Sequence, residues 1–283
     1  MGVSKSGSEG SKEDTTKPDT MIEDAGLSPW REAAFVFLVC LAQCLSLAGL
    51  AQTIAPLDII GSSFGVTDEA RLSWYSAAFS LTFGAFILPA GRLGDMYGHK
   101  TLYIIGFSFY AISSIIAGVA VYSGDVLLSV ARALQGISCA LFVPNALALV
   151  GRRYGDSPKK NMVFAMFGAA APVGWTFGAV FASIFAQLAW WPWAFFAMAL
   201  TCAVVIVAAL VVIPRDELHP SKISDFDFLG TFTGVAGLLL FNIAWNQAAV
   251  VGWSNPLTYA LLIVGILLLV AFAIIEVSYS KNP

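Results

Sequence analysis

Within an otherwise apolar stretch from Val126 to Val150 stands Arg132, followed by Gln135, Gly136 and Ala140. A guanidinium in hydrocarbon costs at least ~2.5 kcal/mol, so it persists where it faces a bundle interior with partners, and it is a functional candidate by default. Outward snorkelling is the competing role, because Arg132 lies only ~9 Å from Val126 along a helix rising 1.5 Å per residue. Gln135 follows nearly one turn on, and Gly136 and Ala140 let a neighbouring helix come close. Gln52, near the end of an earlier apolar stretch, is a further neutral polar group. With Asp58 and Val126 as outer markers, Gln52 and Arg132 fall at similar depth, which predicts a hydrogen bond between them, direct or through one water, with Gln135 lining the same cavity. Such a set offers a fixed positive charge that attracts an anionic or polar group and repels cations.

A second chemically capable run is Gly91-Arg92-Leu93-Gly94-Asp95-Met96-Tyr97-Gly98-His99-Lys100. Its glycines permit close approach and positive φ, Asp95 can cap or face a helix N-terminus, and Arg92 and Lys100 hold the segment at the inner membrane surface, so a tight cytoplasmic turn is expected. In Gly168–Gly178, Gly174 and Gly178 form a small-xxx-small face and Pro172 allows a bend, which reads as close helix packing with a hinge as the second role. Asn242, Asn246 and Gln247 read as interhelical hydrogen-bond glue. An enzyme is not indicated: His99 and His219 fall in loops, and no His, Asp or Glu pair at helical spacing lies inside an apolar stretch to bind a metal. Cys40, Cys44, Cys139 and Cys202 are scattered singly, giving neither a disulfide frame nor a CxxC site, and no cofactor is implied.

The elements that position these groups follow from composition. Of 283 residues, 58% are hydrophobic and 12% charged, with a mean hydropathy of +0.78. That apolar load leaves too little polar skin for an ordinary water-soluble domain and makes the lipid bilayer a partner. The net charge of −3 argues against nucleic-acid binding. Eight apolar runs are long enough to cross a membrane: Ala33–Ile54, Leu72–Ala90, Leu102–Val121, Val126–Val150, Met162–Ala186, Trp193–Ile213, Phe228–Gln247 and Leu257–Val277. They are continuous rather than alternating, so helices are expected, not a barrel. The basic residues concentrate before the first run and after the second, fourth, sixth and eighth, while the opposite loops hold Arg71 alone, which places both termini in the cytoplasm. Trp30, Trp190, Trp191, Trp193 and Trp253 fall at predicted helix ends and are read as an interfacial belt. Residues 1–29 read as a disordered cytoplasmic tail.

The Gly91–Lys100 run resembles the loop signature of the major facilitator superfamily, G-x-L-a-D-r-x-G-r-k, with Met96 in place of the usual basic residue and His99 in place of another. Arg132-Ala133-Leu134-Gln135-Gly136 matches a second family element, R-x-x-Q-G. Asp227-Phe228-Leu229-Gly230, Gly252-Trp253-Ser254-Asn255-Pro256 and the apolar run ending in Glu276 are similar to the two extra helices of fourteen-helix facilitators. This points to the fungal-type drug:proton antiporter branch; Gln52-Thr53-Ile54-Ala55-Pro56 and Gln187–Trp193 resemble the subgroup with aminotriazole-resistance and low-affinity ammonium transporters.

The resemblance implies an all-α membrane protein: a six-helix N-terminal transporter half at 30–214, a cytoplasmic loop at 215–227 and two additional helices at 228–283. It implies transport of a small-molecule or ion substrate by a proton-coupled secondary transporter at the plasma membrane, with a gating role for Gly91, Arg92, Gly94, Asp95, Gly98, His99 and Lys100. The family continues for six more helices, so a C-terminal half is the expected missing partner, and a truncated scaffold or regulator is the alternative. Ala51 stands where the branch carries an acid in a D-x-T-I pattern, which puts carboxylate coupling there in doubt.

Overall fold

A computed structural model describes residues 28–214 and 227–278, in which all regular structure is helical. The helices are α1 (Pro29–Ile54), α2 (Leu57–Ser63), α3 (Glu69–Tyr97), α4 (His99–Val119), α5 (Asp125–Tyr154), α6 (Pro158–Leu188), α7 (Pro192–Val212), α8 (Phe228–Val251) and α9 (Pro256–Ser278). All but the short α2 are long and apolar enough to cross a membrane, eight in total among the described residues. Apart from their edges, the tail read at 1–29 and the loop read at 215–227, with His219, lie outside the described residues.

Several helices begin as their sequences dictate. Proline opens α1, α6 and α7, where its missing N–H removes nothing from the helix. Asp68 caps α3 by accepting from Ala70 N at 3.0 Å, and Asp227 caps α8 by accepting from Gly230 N at 2.8 Å. Helices α3, α5 and α6 overrun the apolar stretches at both ends, because a helix continues through polar residues once it leaves hydrocarbon.

Helix α1 packs along α6, α3 along α5, α4 against α5 and α7, and α8 against α9 and α3. The seams close where side chains are small. A Cβ on Gly174 would run into the backbone of Cys44, and one on Gly178 into that of Ala48, so these glycines set the α1–α6 approach. Pro172 lies inside α6 one turn before Thr176, whose hydroxyl bonds the Pro172 carbonyl at 3.0 Å. A Cβ on Gly136 would meet the Phe79 carbonyl and the Thr82 hydroxyl; Thr82 in turn donates to the Ala133 carbonyl at 2.7 Å, stitching α3 to α5. Between α4 and α5, Phe107 and Phe142 stack at 4.1 Å, and Tyr103 donates to the Leu38 carbonyl of α1 at 2.9 Å.

Two sequence expectations are corrected. Trp191 is not a belt residue: it is 3% exposed, donates Nε1 to Ser63 Oγ at 3.0 Å, and meets Phe64 and Phe195 edge-on. Its neighbours Trp190 and Trp193 face outward, so α7 begins with one ring turned in to pin α2. Among the described residues, Asn242 and Asn246 show no hydrogen bond to another helix; their amides donate to the Leu238 and Asn242 carbonyls one turn back, the local pairing open to a short polar side chain in a helix.

Candidate functional site

Arg132 is fully buried and held between α3, α4 and α5. Its Nε donates to the Tyr75 carbonyl of α3 at 2.9 Å, using a spare lone pair of a helical carbonyl. Its Nη1 donates to Gln135 Oε1 at 2.6 Å, and Gln135 Nε2 donates to Ser114 Oγ of α4 at 2.8 Å. The guanidinium lies 4.5 Å from the centre of the Phe79 ring, whose negative face offers partial compensation. Nη2 is buried with no hydrogen-bond partner, and among the described residues no carboxylate pairs with Arg132. The bundle thus holds a cation with no paired carboxylate among the described residues and one unpartnered donor nitrogen. Outward snorkelling is overturned by the burial.

The expected direct Arg132–Gln52 hydrogen bond is not formed. Gln52 is 3% exposed, yet its Nε2 has no partner, and it lines a cavity between α1, α6 and α7 with Cys44, Phe181 and Met198. The guanidinium instead bonds the Tyr75 carbonyl of α3 and Gln135 of α5 through Nε and Nη1. Counting depth from chain ends locates a level in the bilayer but not a direction around the helix.

The Gly91–Lys100 run is not a loop. Helix α3 continues through Gly91, Arg92, Gly94 and Asp95 to Tyr97, and α4 starts at His99, so the turn is Gly98 alone, at φ 91°. A left-handed φ there is affordable only without a Cβ. His99 is consequently a buried helix residue rather than a loop residue, 2% exposed. Its Nδ1 lies 2.6 Å from Asn145 Oδ1 of α5, and its Nε2 lies 3.4 Å from Asp95 Oδ1. Asn145 Nδ2 donates to the Ala90 and Leu141 carbonyls at 3.2 and 2.6 Å. Asp95 also faces Arg152 Nη2 at 3.4 Å, at the end of α5. Lys100 bonds the Leu210 carbonyl at 3.2 Å and the Ile213 carbonyl, and Arg31 bonds the Val211 carbonyl at 3.2 Å, so two cations hold the C-terminus of α7. At the opposite end the lone cation Arg71 pairs with Asp125 at 2.6 Å.

Sequence reasoning missed Tyr75, Phe79, Ser114 and Asn145. Ser114 and Asn145 carried a signal, being polar inside apolar runs; the Tyr75 partner is a backbone carbonyl and carried none.

Eight membrane-length helices with small-residue seams around a buried cation define a multi-pass integral membrane protein. The chain belongs to the Major Facilitator Superfamily, whose family model matches residues 36–280. It is 52% identical over 251 residues to the low affinity ammonium transporter of Saccharomyces cerevisiae, covering 87% of this chain and 49% of that protein. It is 38% identical over 260 residues to the aminotriazole resistance protein of the same yeast, covering 90% of this chain and 47% of that one. The chain therefore spans about half the length of the curated relatives it matches. A solved peptide transporter POT, an E310Q mutant in complex with sulfate, superposes with a TM-score of 0.63 at 16% identity, covering 88% of this chain and 53% of that one, which shows a shared fold.

Proposed function

We propose that this chain is the N-terminal part of a proton-coupled secondary transporter for a small solute, with Arg132, Gln135 and Gln52 on the substrate or coupling pathway. The observation that carries this reading is the fully buried Arg132, which retains a free donor and has no carboxylate partner among the described residues. A charge kept at such cost in the bundle is accounted for by a task, and its open donor suits a polar or anionic group that comes and goes. The names of the two yeast relatives make small nitrogen compounds the class to assay first.

In this reading 30–214 form the six-helix N-terminal unit and 228–283 two additional helices, and a C-terminal half supplies the other wall of the pathway. Residues 1–29 and 215–227 are a cytoplasmic tail and loop. The end of the bundle that gathers Arg31, Lys100, Arg152 and Lys159 faces the cytoplasm, with both chain termini there, at the plasma membrane. The α3–α4 junction gates that face: Gly91, Arg92, Gly94, Asp95, Gly98, His99 and Lys100 act through the Asp95–Arg152 contact. Pro172, Gly174, Gly178 and Gly136 keep the moving seams close.

The experiment is uptake and efflux of ammonium and aminotriazole by a version completed with a C-terminal half, reconstituted in vesicles, with Arg132→Met as the variant. Transport is expected to fall at least ~tenfold while membrane insertion is unchanged. Undiminished transport in Arg132→Met removes the residue from the pathway. Tags near Asp68 and Pro220 are expected to report outside and inside; the same side for both overturns the topology.

A further inference from the structure

We propose that Ser28, at the start of α1, is a phosphorylation site for a proline-directed protein kinase, and that the phosphate draws Arg31 away from the C-terminus of α7. The chain holds two Ser-Pro steps, Ser28-Pro29-Trp30-Arg31 and Ser157-Pro158-Lys159-Lys160, and each carries a basic residue three positions after the serine. Pro29 and Pro158 have no N–H, so a kinase that must bond the amide after its serine is excluded, and one whose pocket accepts the ring is selected. A cation three places on suits an acidic groove beside that pocket.

Both serines sit at helix starts, on α1 and α6, at the end of the bundle where Lys159 meets Glu32 at 3.3 Å. Ser and Pro belong at a helix start on capping grounds alone. Capping accounts for Ser157, which is half-buried and whose hydroxyl accepts from Lys160 N at 3.4 Å. It does not account for Ser28, whose side chain makes no cap hydrogen bond and is exposed together with Pro29 and Trp30. The Ser28 backbone is already extended, at ψ 148°, as a residue before proline requires. Extending the chain as far as Arg31 gives up the bonds of Arg31 N and Glu32 N to the Ser28 carbonyl, in the turn where a helix has fewest bonds to lose.

In the transfer, the Ser28 hydroxyl attacks the γ-phosphorus of ATP; an O–P bond forms as the bond to the β–γ bridging oxygen breaks, ADP leaves, and the hydroxyl proton passes to the catalytic aspartate of the kinase. The product carries a charge of about −1.5 to −2 at the N-terminus of α1, three residues before Arg31. In the unmodified chain Arg31 Nη2 donates to the Val211 carbonyl at 3.2 Å and the Val212 carbonyl at 3.5 Å. A phosphate is a stronger acceptor than a carbonyl, so the guanidinium transfers to it and leaves Lys100 on the last carbonyls of α7. Glu32, the acid in the same turn, is already paired with Lys159.

The proposal rests on the reading that this end of the bundle faces the cytoplasm, where ATP is available. The test is a purified cyclin-dependent kinase with magnesium ATP, acting on the 283-residue chain in lipid nanodiscs and on a version completed with a C-terminal half. Mass spectrometry of phosphopeptides is expected to place the phosphate on Ser28 in both. Ser28→Thr is expected to keep it, Ser28→Ala to remove it, and Arg31→Gln to slow transfer at least ~tenfold. Hydrogen exchange over residues 209–213 is expected to rise on phosphorylation of the unaltered chain and to stay level on phosphorylation of Arg31→Gln. Phosphate on Ser157 and not on Ser28, no transfer to either preparation, or transfer to the shorter chain alone overturns the site; unchanged exchange overturns the movement of Arg31. Nanodiscs present both membrane faces to the kinase, so a failure there counts against the site, while a failure of the topology is read from the tags near Asp68 and Pro220.

Discussion

His99 Nδ1 and Asn145 Oδ1 meet at 2.6 Å across the α4–α5 seam, and the contact fits because residue 94 of α3 has no side chain. The Asn145 amide is oriented by its two carbonyl acceptors, so its oxygen is left to accept from the His99 Nδ1–H. A Cβ on Gly94 would strike both Asn145 Oδ1 and His99 Nδ1. The junction between α3 and α4 is thus held by a polar clasp that a single methyl group disrupts.

Gly94→Ala is expected to destabilise the protein by about 1–3 kcal/mol, the usual range for overpacking a fitted site. Gly91→Ala, three residues earlier with nothing within 4 Å of its Cβ, is expected to be neutral or slightly stabilising. Thermal unfolding of the two variants in detergent separates them. Equal melting temperatures would show that the clasp does not limit stability.

Replacing both Arg132 and Gln135 by Met and Leu is expected to leave stability unchanged or raise it by about 1–4 kcal/mol, because a desolvated charge is exchanged for apolar packing. The same pair of changes is expected to abolish transport in a version completed with a C-terminal half. Denaturation and vesicle uptake on one preparation measure both. A large loss of stability would mean that the cation holds the bundle together rather than serving the pathway.

At the α1–α6 seam, Gly178→Val forces side-chain atoms into the Ala48 backbone, which cannot yield as a flexible side chain can. Separation of the helices and rapid proteolysis are expected. Gly168→Ala, on the same helix with open space around it, is expected to resist protease as well as the unaltered chain does.

Trp191→Ala is expected to cost about 3–5 kcal/mol, through the cavity it leaves and the Ser63 hydroxyl it strands. Trp193→Ala, at an exposed position, is expected to cost far less. Chemical denaturation monitored by circular dichroism checks the pair. A Trp193 loss as large as that of Trp191 would contradict the assignment of Trp191 as the inward ring.

Asp95→Asn removes an ion pair with Arg152 whose side chains are 53% and 42% exposed, so its stability effect is expected to stay under about 1 kcal/mol. Transport by a completed version is expected to fall nonetheless, if the α3–α4 junction gates. Unchanged flux at unchanged stability would discard the gating role.

Hydropathy and motif spacing were enough for the eight membrane helices found among the described residues, their order and the fold family. Apolar runs of twenty or so residues have one stable state in lipid, because every backbone polar group must be satisfied within the segment. Hydropathy also marked Arg132, since a lone cation in such a run has few tolerable surroundings. Tertiary structure decided the partners. Which way Gln52 points, that Trp191 turns inward, and that a Tyr75 carbonyl meets the guanidinium all depend on the rotation of each helix about its axis. That rotation is fixed by contacts between helices far apart in the chain, such as Gly178 on Ala48 and Gly136 on Phe79. Hydropathy is nearly uniform around a membrane helix, so it carries no record of that angle; the fit of small residues against a neighbouring backbone sets it.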